Sequence, residues 1–527
     1  MRLGLSIALC LAAPFGAGAA TYTVDTSSDL PLSACMPAVP ADCSLRGAID
    51  RANADAVPDV LVFDLPPDDP GLQPATGHWR IDAASALPAV VQPLLVDGFS
   101  QPGASANAAE SPLPLAHTLK IEVRGPNTGT DGFTAYAPLH VRGLAINRWR
   151  RGVFFFNAGP NVVEGCHLGT DVSGQIAVPN ANGIVLGGDV RIGGADPAQR
   201  NLISANRDYG LTTQLALTQA LIQGNVIGPS ADLALVPGRQ DFGIYLLDPR
   251  ATSIGGSGAG EANLISGHRF SAVSLSAGSF QNTPGAPFAR IQGNLVGVGR
   301  DGRAMGNGQG SLYPQIGISL GGYCRVEIGG LGPGEGNLIA HGANAGVAIG
   351  SCWQAPILGN RFSANRGIAI DLAGSNGFDG PTPNDPGDAD ASGGDPTIAA
   401  GGNRFQNHPE LLLPPGFVSG GGGSGVALGY TVDSDPAHST YPITVYFYRG
   451  GCNGGGRELI ASDTYGESDA QQVRAFNLVG DGNVLPLTTL AVDAVGNTSE
   501  FSRMVGDELY ADGLEDEAAT FSPGRCD

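Results

Sequence analysis

Lysine is all but absent from this 527-residue chain, and Lys120 is the only one. Lysine and arginine together number 28 against 49 acidic residues, a formal net charge of −21. A protein that tracks phosphates needs a basic face, and an anionic lipid surface asks for the same. Neither nucleic acid nor such a surface is an expected partner. Long apolar runs are scarce too: after the first twenty residues no stretch approaches the ~20 apolar residues that span a bilayer. The histidines and cysteines lack zinc-ligand spacing, and no serine nucleophile elbow or phosphate-binding glycine loop is present.

What the chain does have begins with an export signature. Arg2 precedes an apolar run from Leu3 to about Phe15, and Ala17-Gly18-Ala19-Ala20 offers small residues for cleavage. Residues 1–20 are expected to be a signal peptide and the mature chain to be secreted or displayed on a surface. Such a compartment permits disulfides. Cys10 lies in the signal, leaving 8 − 1 = 7 cysteines. Cys35 and Cys43 flank a short Pro-rich loop and are expected to pair. Cys324 and Cys352 lie one repeat apart and suit a bridge between stacked turns. A Cys452–Cys526 pair would leave Cys166 free. Sequence alone does not fix this connectivity.

The composition, with 81 Gly and 38 Pro beside 42% hydrophobic residues, implies many tight turns joining short buried strands rather than disorder. A repeat is visible. Ile192-Gly193-Gly194 is followed nine residues after Ile192 by Asn201-Leu202-Ile203-Ser204. The pattern returns at Ile254 with Asn263, and at Ile328 with Asn337, advancing by 62 and then 74 residues. A second unit, Ile222-Gln223-Gly224-Asn225-Val226-Ile227-Gly228, returns at Ile291 and, shortened, at Ile357. A worn copy surrounds Cys166, which takes the Asn position. Short strands open on Gly183-Ile184, Gly210-Leu211, Gly243-Ile244, Gly317-Ile318, Gly346-Val347 and Gly367-Ile368.

A period of ~20–50 residues signals a solenoid. The strands are β-branched, carry no helical period and are bounded by Gly or Asn, which excludes helical solenoids and leucine-rich repeats. The expected fold is all-β: a right-handed parallel β-helix whose coils stack at ~4.8 Å. The recurrent Asn can bond the backbone, or its own copy, in the next coil. Asn201, Asn263 and Asn337 are expected to form one ladder, and Asn225, Asn294 and Asn360 a separate one. Ser44 is a good N-cap, and Leu45, Ala48, Ile49 and Ala52 share one face of a short helix that would cover the first coil.

Three segments carry a resemblance to a known family. Cys43-Ser44-Leu45-Arg46-Gly47-Ala48-Ile49, with Ala52-Asn53, resembles the CSLREA-type N-terminal region of bacterial secreted β-helix proteins. Asp97-Gly98-Phe99-Ser100-Gln101-Pro102-Gly103 is similar to the segment that follows it there. Gly169-Thr170-Asp171 with Asn182-Gly183-Ile184 is similar to a coil of the same proteins. Gly47 stands where the namesake motif has Glu, and Gly228-Pro229-Ser230 and Cys166 also depart from the pattern. The resemblance implies the β-helix and does not imply an activity.

The periodicity ends near Asp371-Leu372. Strands are then expected at Val426–Val432, Ile443–Tyr448, Glu458–Ala461, Gln472–Phe476 and Thr488–Asp493, a spacing that suits an antiparallel Ig-like sandwich. Asp493-Ala494-Val495-Gly496-Asn497-Thr498-Ser499-Glu500-Phe501-Ser502 resembles the ending of Ig-like modules in that family. The expected organisation is a signal at 1–20, a cap region at 21–59, the β-helix at 60–373, a linker at 374–410, the sandwich at 411–505 and an acidic tail at 506–527. Tyr510-Ala511-Asp512-Gly513-Leu514-Glu515 resembles a terminal sorting motif of bacterial exported proteins.

Parallel β-helices include polysaccharide lyases and hydrolases that work on an outer groove. Their galacturonan-hydrolase signature, Gly-His-Gly with paired Asp, is missing. The residues after each Asn-Leu-Ile repeat instead suggest an outer column: Asn206-Arg207-Asp208-Tyr209, then His268-Arg269-Phe270, then His341, with related coils ~10 Å apart. Arg207 and Arg269 could hold a uronate, Tyr209 could stack on a sugar, and Asp208, His268 or His341 could move a proton. His167 near Arg148, Trp149, Arg150 and Arg151 forms a weaker candidate for an anionic-sugar subsite. Asp385, Asp388 and Asp390 alternate as Ca²⁺ ligands would, without an EF-hand Gly or Glu. Sequence favours a non-enzymatic rod with a glycan- or partner-binding face; a lyase or hydrolase of acidic polysaccharide and a purely structural spacer are the alternatives.

Overall fold

The computed structural model describes residues 18–505 except 157–158, 278–288, 309–315, 323–324, 374–379, 393–400, 413–425, 451–454 and 479–485. Residues 1–17, where most of the expected signal lies, the acidic tail from 506 on, and Cys324, Cys452 and Cys526 lie outside the described residues.

Alternating β-branched and small residues produce strands of two to six residues almost throughout, with Leu45–Ala52 as the sole α-helix among the described residues. An 18-stranded and an 11-stranded sheet hold the chain from Thr21 to Leu372. Apart from a hairpin between Leu72–Gln73 and His78–Asp82, their pairings are parallel. Strands come in threes. Asn161–Glu164, His167–Leu168 and the start of Asn182–Gly193 each pair with the equivalent strand one tier on, as Val163 with Ile192, Leu168 with Ile203 and Ile184 with Leu211. Such tiers are compatible with a parallel β-helix. Val153, Ile184, Leu211, Ile244, Val273, Ile318, Val347 and Ile370 stand in register one above the next and all are buried. Each such side chain contributes roughly 1.5–3 kcal/mol.

The expectation of two separate asparagine ladders is corrected. Asn201 Nδ2 donates to Asn225 Oδ1, Asn225 to Asn263, Asn263 to Asn294, Asn294 to Asn337 and Asn337 to Asn360, at 2.9–3.0 Å. The two sequence units therefore occupy one bend in successive tiers and share a single ladder of six. At its head Cys166 donates its N–H to Asn201 Oδ1 and is a buried free thiol.

At the N-terminus Ser44 caps the helix by accepting the Gly47 N–H at 3.0 Å, and Leu45, Ala48, Ile49 and Ala52 are buried. Gly47 is sterically required, because a Cβ there would lie 1.8 Å from the Leu32 carbonyl oxygen. The Cys35–Cys43 disulfide is present. Cys352 is disulfide-bonded as well, to a partner outside the described residues.

Beyond Leu372 the topology turns antiparallel. Glu410–Leu412, Val426–Thr431 and Arg474–Leu478 form one three-stranded sheet; Gly456–Tyr465, Ile443–Gly450 and Leu487–Val492 form another. Tyr430, Val445, Phe447, Tyr465 and Leu487 pack between them. This unit covers the last tier of the stack. Asn497 Oδ1 accepts the Gln354 N–H at 2.8 Å, Thr498 Oγ1 that of Ile357 at 3.0 Å, and the Tyr448 hydroxyl that of Gly359 at 3.2 Å. Glu500 accepts the N–H groups of Leu372 and Thr382, both at 2.8 Å. The conspicuous Asn497–Phe501 run thus supplies acceptors to donors that would otherwise be orphaned at the end of the parallel stack.

Candidate functional site

After each strand of the 11-stranded sheet the chain makes a second bend, and there the expected outer column divides into an inner and an outer part. Asn180, Asn206, Gln240, His268, Asn307 and Asn365 are buried. Asn180 donates to Asn206 Oδ1 at 3.1 Å, and Asn206 to Gln240 Oε1 at 3.3 Å. Asn307 Oδ1 accepts the His268 N–H at 3.1 Å, and Asn365 Oδ1 that of Gly342 at 2.9 Å. Glycine makes the room: a Cβ on Gly210 would lie 2.5 Å from Gln240 Nε2, and one on Gly243 2.7 Å from His268 Nε2.

His268 is therefore corrected from an outward group to a rung of an inner ladder. Burial pushes its pKa down to about 3, so the ring is neutral. One nitrogen approaches the Ile227 carbonyl, yet neither completes a hydrogen bond. A sealed neutral imidazole meets no substrate. His341 is half-buried, its carbonyl end held in a left-handed turn (φ 55°), and burial lowers its pKa. It lies four tiers beyond Arg207, about 19 Å at the spacing of stacked strands. Of the acid–base candidates only Asp208 is exposed beside Arg207 and Tyr209, so the three do not converge.

The outer part does assemble. Tyr209 stands in register with Asn182 on one side and Phe242 on the other. The tier carrying Asp241 and Phe242 lies between the rows of Arg207 and Arg269. The Tyr209 and Phe242 rings are near-parallel with centroids 5.7 Å apart, and Tyr245 and Phe270 lie 5.2 and 5.3 Å from Phe242. Arg269 sits 5.4 Å from the Phe270 centroid and 3.5 Å from the Asp241 carboxylate. Burial raises the Asp241 pKa; Arg269 opposes the shift and the charge of Asp208 adds to it. Arg207 donates to Asn127 Oδ1 at 3.1 Å. Phe270 is buried, and Tyr209, Phe242 and Tyr245 are half-buried, so what reaches the surface is the part of three rings edged by charge, suited to holding a ligand with apolar faces and polar edges. Asp241, Phe242 and Tyr245 were missed in the sequence. The signal was there in Asp208-Tyr209-Gly210-Leu211 and Asp241-Phe242-Gly243-Ile244, an Asp–aromatic–Gly–aliphatic repeat.

The other candidates scatter. His167 is buried with its Nε2 3.2 Å from His117 Nδ1, and burial lowers its pKa to about 4. Trp149 is buried and donates to the Val123 carbonyl, while Arg150 and Arg151 close on Asp131. The structure thus shows no shared subsite for these groups. Asp385, Asp388 and Asp390 do come together, each placing a carboxylate oxygen within 4.8 Å of the others. Their oxygens already accept donors: Asp385 takes the N–H groups of Ala389 and Asp390, and Asp388 takes the Asn407 N–H and the Ser439 hydroxyl. Burial, with Asp390 and Asp385 adding their charge, raises Asp388 to about 7. A divalent cation there would have to displace some of these bonds, so the loop is held closed by its own hydrogen bonds.

Among the described residues no helix is long and apolar enough to cross a membrane. No protein-family model matches the chain, and no curated protein matches it.

Proposed function

We propose that the protein is an exported right-handed parallel β-helix, closed at its C-terminal end by an Ig-like sandwich, and that it binds glycan on the outer face around Tyr209, Phe242 and Tyr245, with the buried Phe270 backing Phe242. The signal-like N-terminus supports export. The continuous parallel register and the single asparagine ladder support the closed solenoid. The observation that carries the binding reading is the repeat that sets rings into neighbouring tiers, with Arg207, Asp208, Asp241 and Arg269 along their edge. Rings offer an apolar surface to the C–H faces of sugars, and the flanking charged groups bond hydroxyls. The scatter of Asp208, His268 and His341 favours binding over a lyase or hydrolase.

The test is a binding screen of the mature protein against neutral and acidic polysaccharides, with and without Ca²⁺, while reaction products are followed. Retention without cleavage is expected, and Tyr209→Ala with Phe242→Ala should weaken it roughly tenfold, about 1.4 kcal/mol. Unsaturated or reducing-end products that vanish in Arg207→Ala would instead establish an enzyme. Retention of no polysaccharide at all would leave a spacer.

A further inference from the structure

We infer that Thr76, His78 and Glu122 form a hydroxyl–imidazole–carboxylate relay in which Thr76 is the nucleophile for small acyl esters. The relay belongs to the 11-stranded sheet, apart from the rings of Tyr209 and Phe242 on the 18-stranded one, and does not rest on the glycan reading above. It begins with a hairpin. Gln73 pairs with His78, and the chain between them turns on two bonds to the Gln73 carbonyl, from the Thr76 N–H at 3.2 Å and the Gly77 N–H at 2.8 Å. Gly77 closes the turn in the left-handed conformation (φ 63°), where a side chain would be strained. Thr76 is thereby held exposed at the turn, two residues before a buried histidine.

Side chains alternate along His78–Asp82, so Trp79 and Ile81 enter the core and His78 faces away from it. The neighbouring strand, Ile121–Arg124, places Ile121 and Val123 inside, which sets Glu122 on the side of His78. The imidazole bridges the other two groups: Thr76 Oγ1 lies 2.6 Å from Nδ1, and Glu122 Oε2 lies 3.2 Å from Nε2. Burial would raise the Glu122 carboxyl, but the bonds from His78 and from Asn147 Nδ2 (2.8 Å) hold it below its ordinary value. A carboxylate only accepts, so Nε2 carries the ring proton and Nδ1 is left to accept the threonine hydroxyl. Nucleophile, base and orienting acid thus stand within hydrogen-bond reach of one another in series, the geometry that activates a hydroxyl for attack on a carbonyl. An exposed hydroxyl at one end and a charged carboxylate at the other distinguish this histidine from one that is merely satisfied in the interior.

In the reaction, Thr76 Oγ1 bonds to the ester carbonyl carbon as its proton passes to His78 Nδ1, and Glu122 stabilises the imidazolium. The bond from that carbon to the alkoxy oxygen then breaks, and the departing alcohol takes the proton from Nδ1. Water repeats the sequence on the acyl-threonine: its oxygen bonds to the carbonyl carbon, its proton goes to Nδ1, and Thr76 leaves with that proton as a free hydroxyl. Positive charge for the intermediate is at hand. Lys120, the one lysine of the chain, donates from Nζ to the Gly77 carbonyl at 2.8 Å. The remaining donors of its ammonium lie at the residue next to Thr76 and suit an oxyanion. Thr76 shares its turn with the exposed Pro74 and Ala75, which fits a small acyl group such as acetyl better than a long one that needs a pocket.

The experiment follows hydrolysis of p-nitrophenyl acetate and butyrate by the purified protein, and maps by peptide mass spectrometry where a fluorophosphonate probe attaches. Acetate should turn over faster than butyrate, and the probe should attach at Thr76. Thr76→Ala should lose both signals, with turnover down roughly 100-fold or more and an unchanged melting temperature, since the side chain is exposed. Thr76→Ser should retain both. Glu122→Gln should slow attachment at Thr76 roughly 100-fold while the fraction finally attached stays the same, a split that loss of folded protein would not give. Butyrate turned over faster than acetate would overturn the small-acyl assignment. Turnover in Thr76→Ala equal to that of the parent, attachment at another residue, or neither turnover nor attachment would each overturn the relay and leave His78 as a tie between hairpin and sheet. Polysaccharide binding at Tyr209 is read separately and stands or falls on its own screen.

Discussion

The two bends of each tier hold buried polar side chains to different standards. At the first, six asparagines form a chain: each Nδ2 donates to the next Oδ1, and along Asn225, Asn263, Asn294 and Asn337 the backbone N–H reaches the same oxygen at 2.9–3.2 Å. At the second, Gln and His interrupt the asparagines, and Gln240 Nε2, both His268 ring nitrogens and Asn307 Nδ2 are buried without a hydrogen-bond partner. Loop length bears on Gln240 but not on His268, whose three-residue return from Ile265 matches that from Ile203 to Asn206. The long returns at the first bend run from Ile192 to Asn201, Ile254 to Asn263 and Ile328 to Asn337, which is nine residues each time. Those at the second run from Leu168 to Asn180, Ile227 to Gln240 and Val296 to Asn307, or 12, 13 and 11 residues. A return of constant length brings the chain back to one place, so one amide serves every tier. A varying return relaxes that demand: the returns of 12 and 11 residues still end on Asn180 and Asn307, and the longest ends on Gln240. The bend that tolerates variation is also the one beside the half-buried rings of Tyr209, Phe242 and Tyr245.

Substitutions can break this contrast, the largest first. Asn263→Ala should cost about 3–5 kcal/mol by denaturant unfolding, because it orphans Asn225 N–H, Asn225 Nδ2 and the Ile222 carbonyl at once. Asn307→Ala, where one donor is already unmatched, should cost about 1–2 kcal/mol. Equal losses would refute the distinction between the bends.

At the end of the stack, burial with the Asp371 charge adding raises the Glu500 pKa from 4.5 to about 7. The folded state holds that proton more tightly than the unfolded one. Its stabilisation is full below about 4.5 and is lost as pH rises through about 7. Unfolding free energies at pH 5 and pH 8 should differ by a few kcal/mol from this group, and Glu500→Gln should remove its share of the slope; an unaltered slope would assign the dependence to other groups. The smallest effect is expected of His268→Asn, a gain of about 1 kcal/mol or no loss, read as a melting temperature equal to or above that of the parent. A clear loss would mean that the imidazole fills space the ladder needs.

The fold was legible because its causes are local and repeated. Aliphatic residues before Gly and Asn recur at every turn, and the helix at Leu45–Ala52 carries both its cap and its apolar face in eight residues. The single ladder was not legible, since the two sequence units look unlike each other and only stacking reveals that Asn201 and Asn225 hold the same place. The candidate site was half legible. Arg207, Tyr209 and Arg269 reach the outer face, but His268 shares its sequence position with Asn206, and burial at a bend depends on which residues follow glycine one tier away.

The acceptors of Asn497, Thr498, Glu500 and Tyr448 have a consequence for what the molecule is in bulk. A parallel stack left bare at its last tier is a template, and each arriving copy would recreate the same bare edge, which is how filaments propagate. With those amide donors already taken, no such site is offered for a next copy at that end. At that end the stack is closed by residues of its own chain, so the edge that a further copy would have to pair with is already occupied.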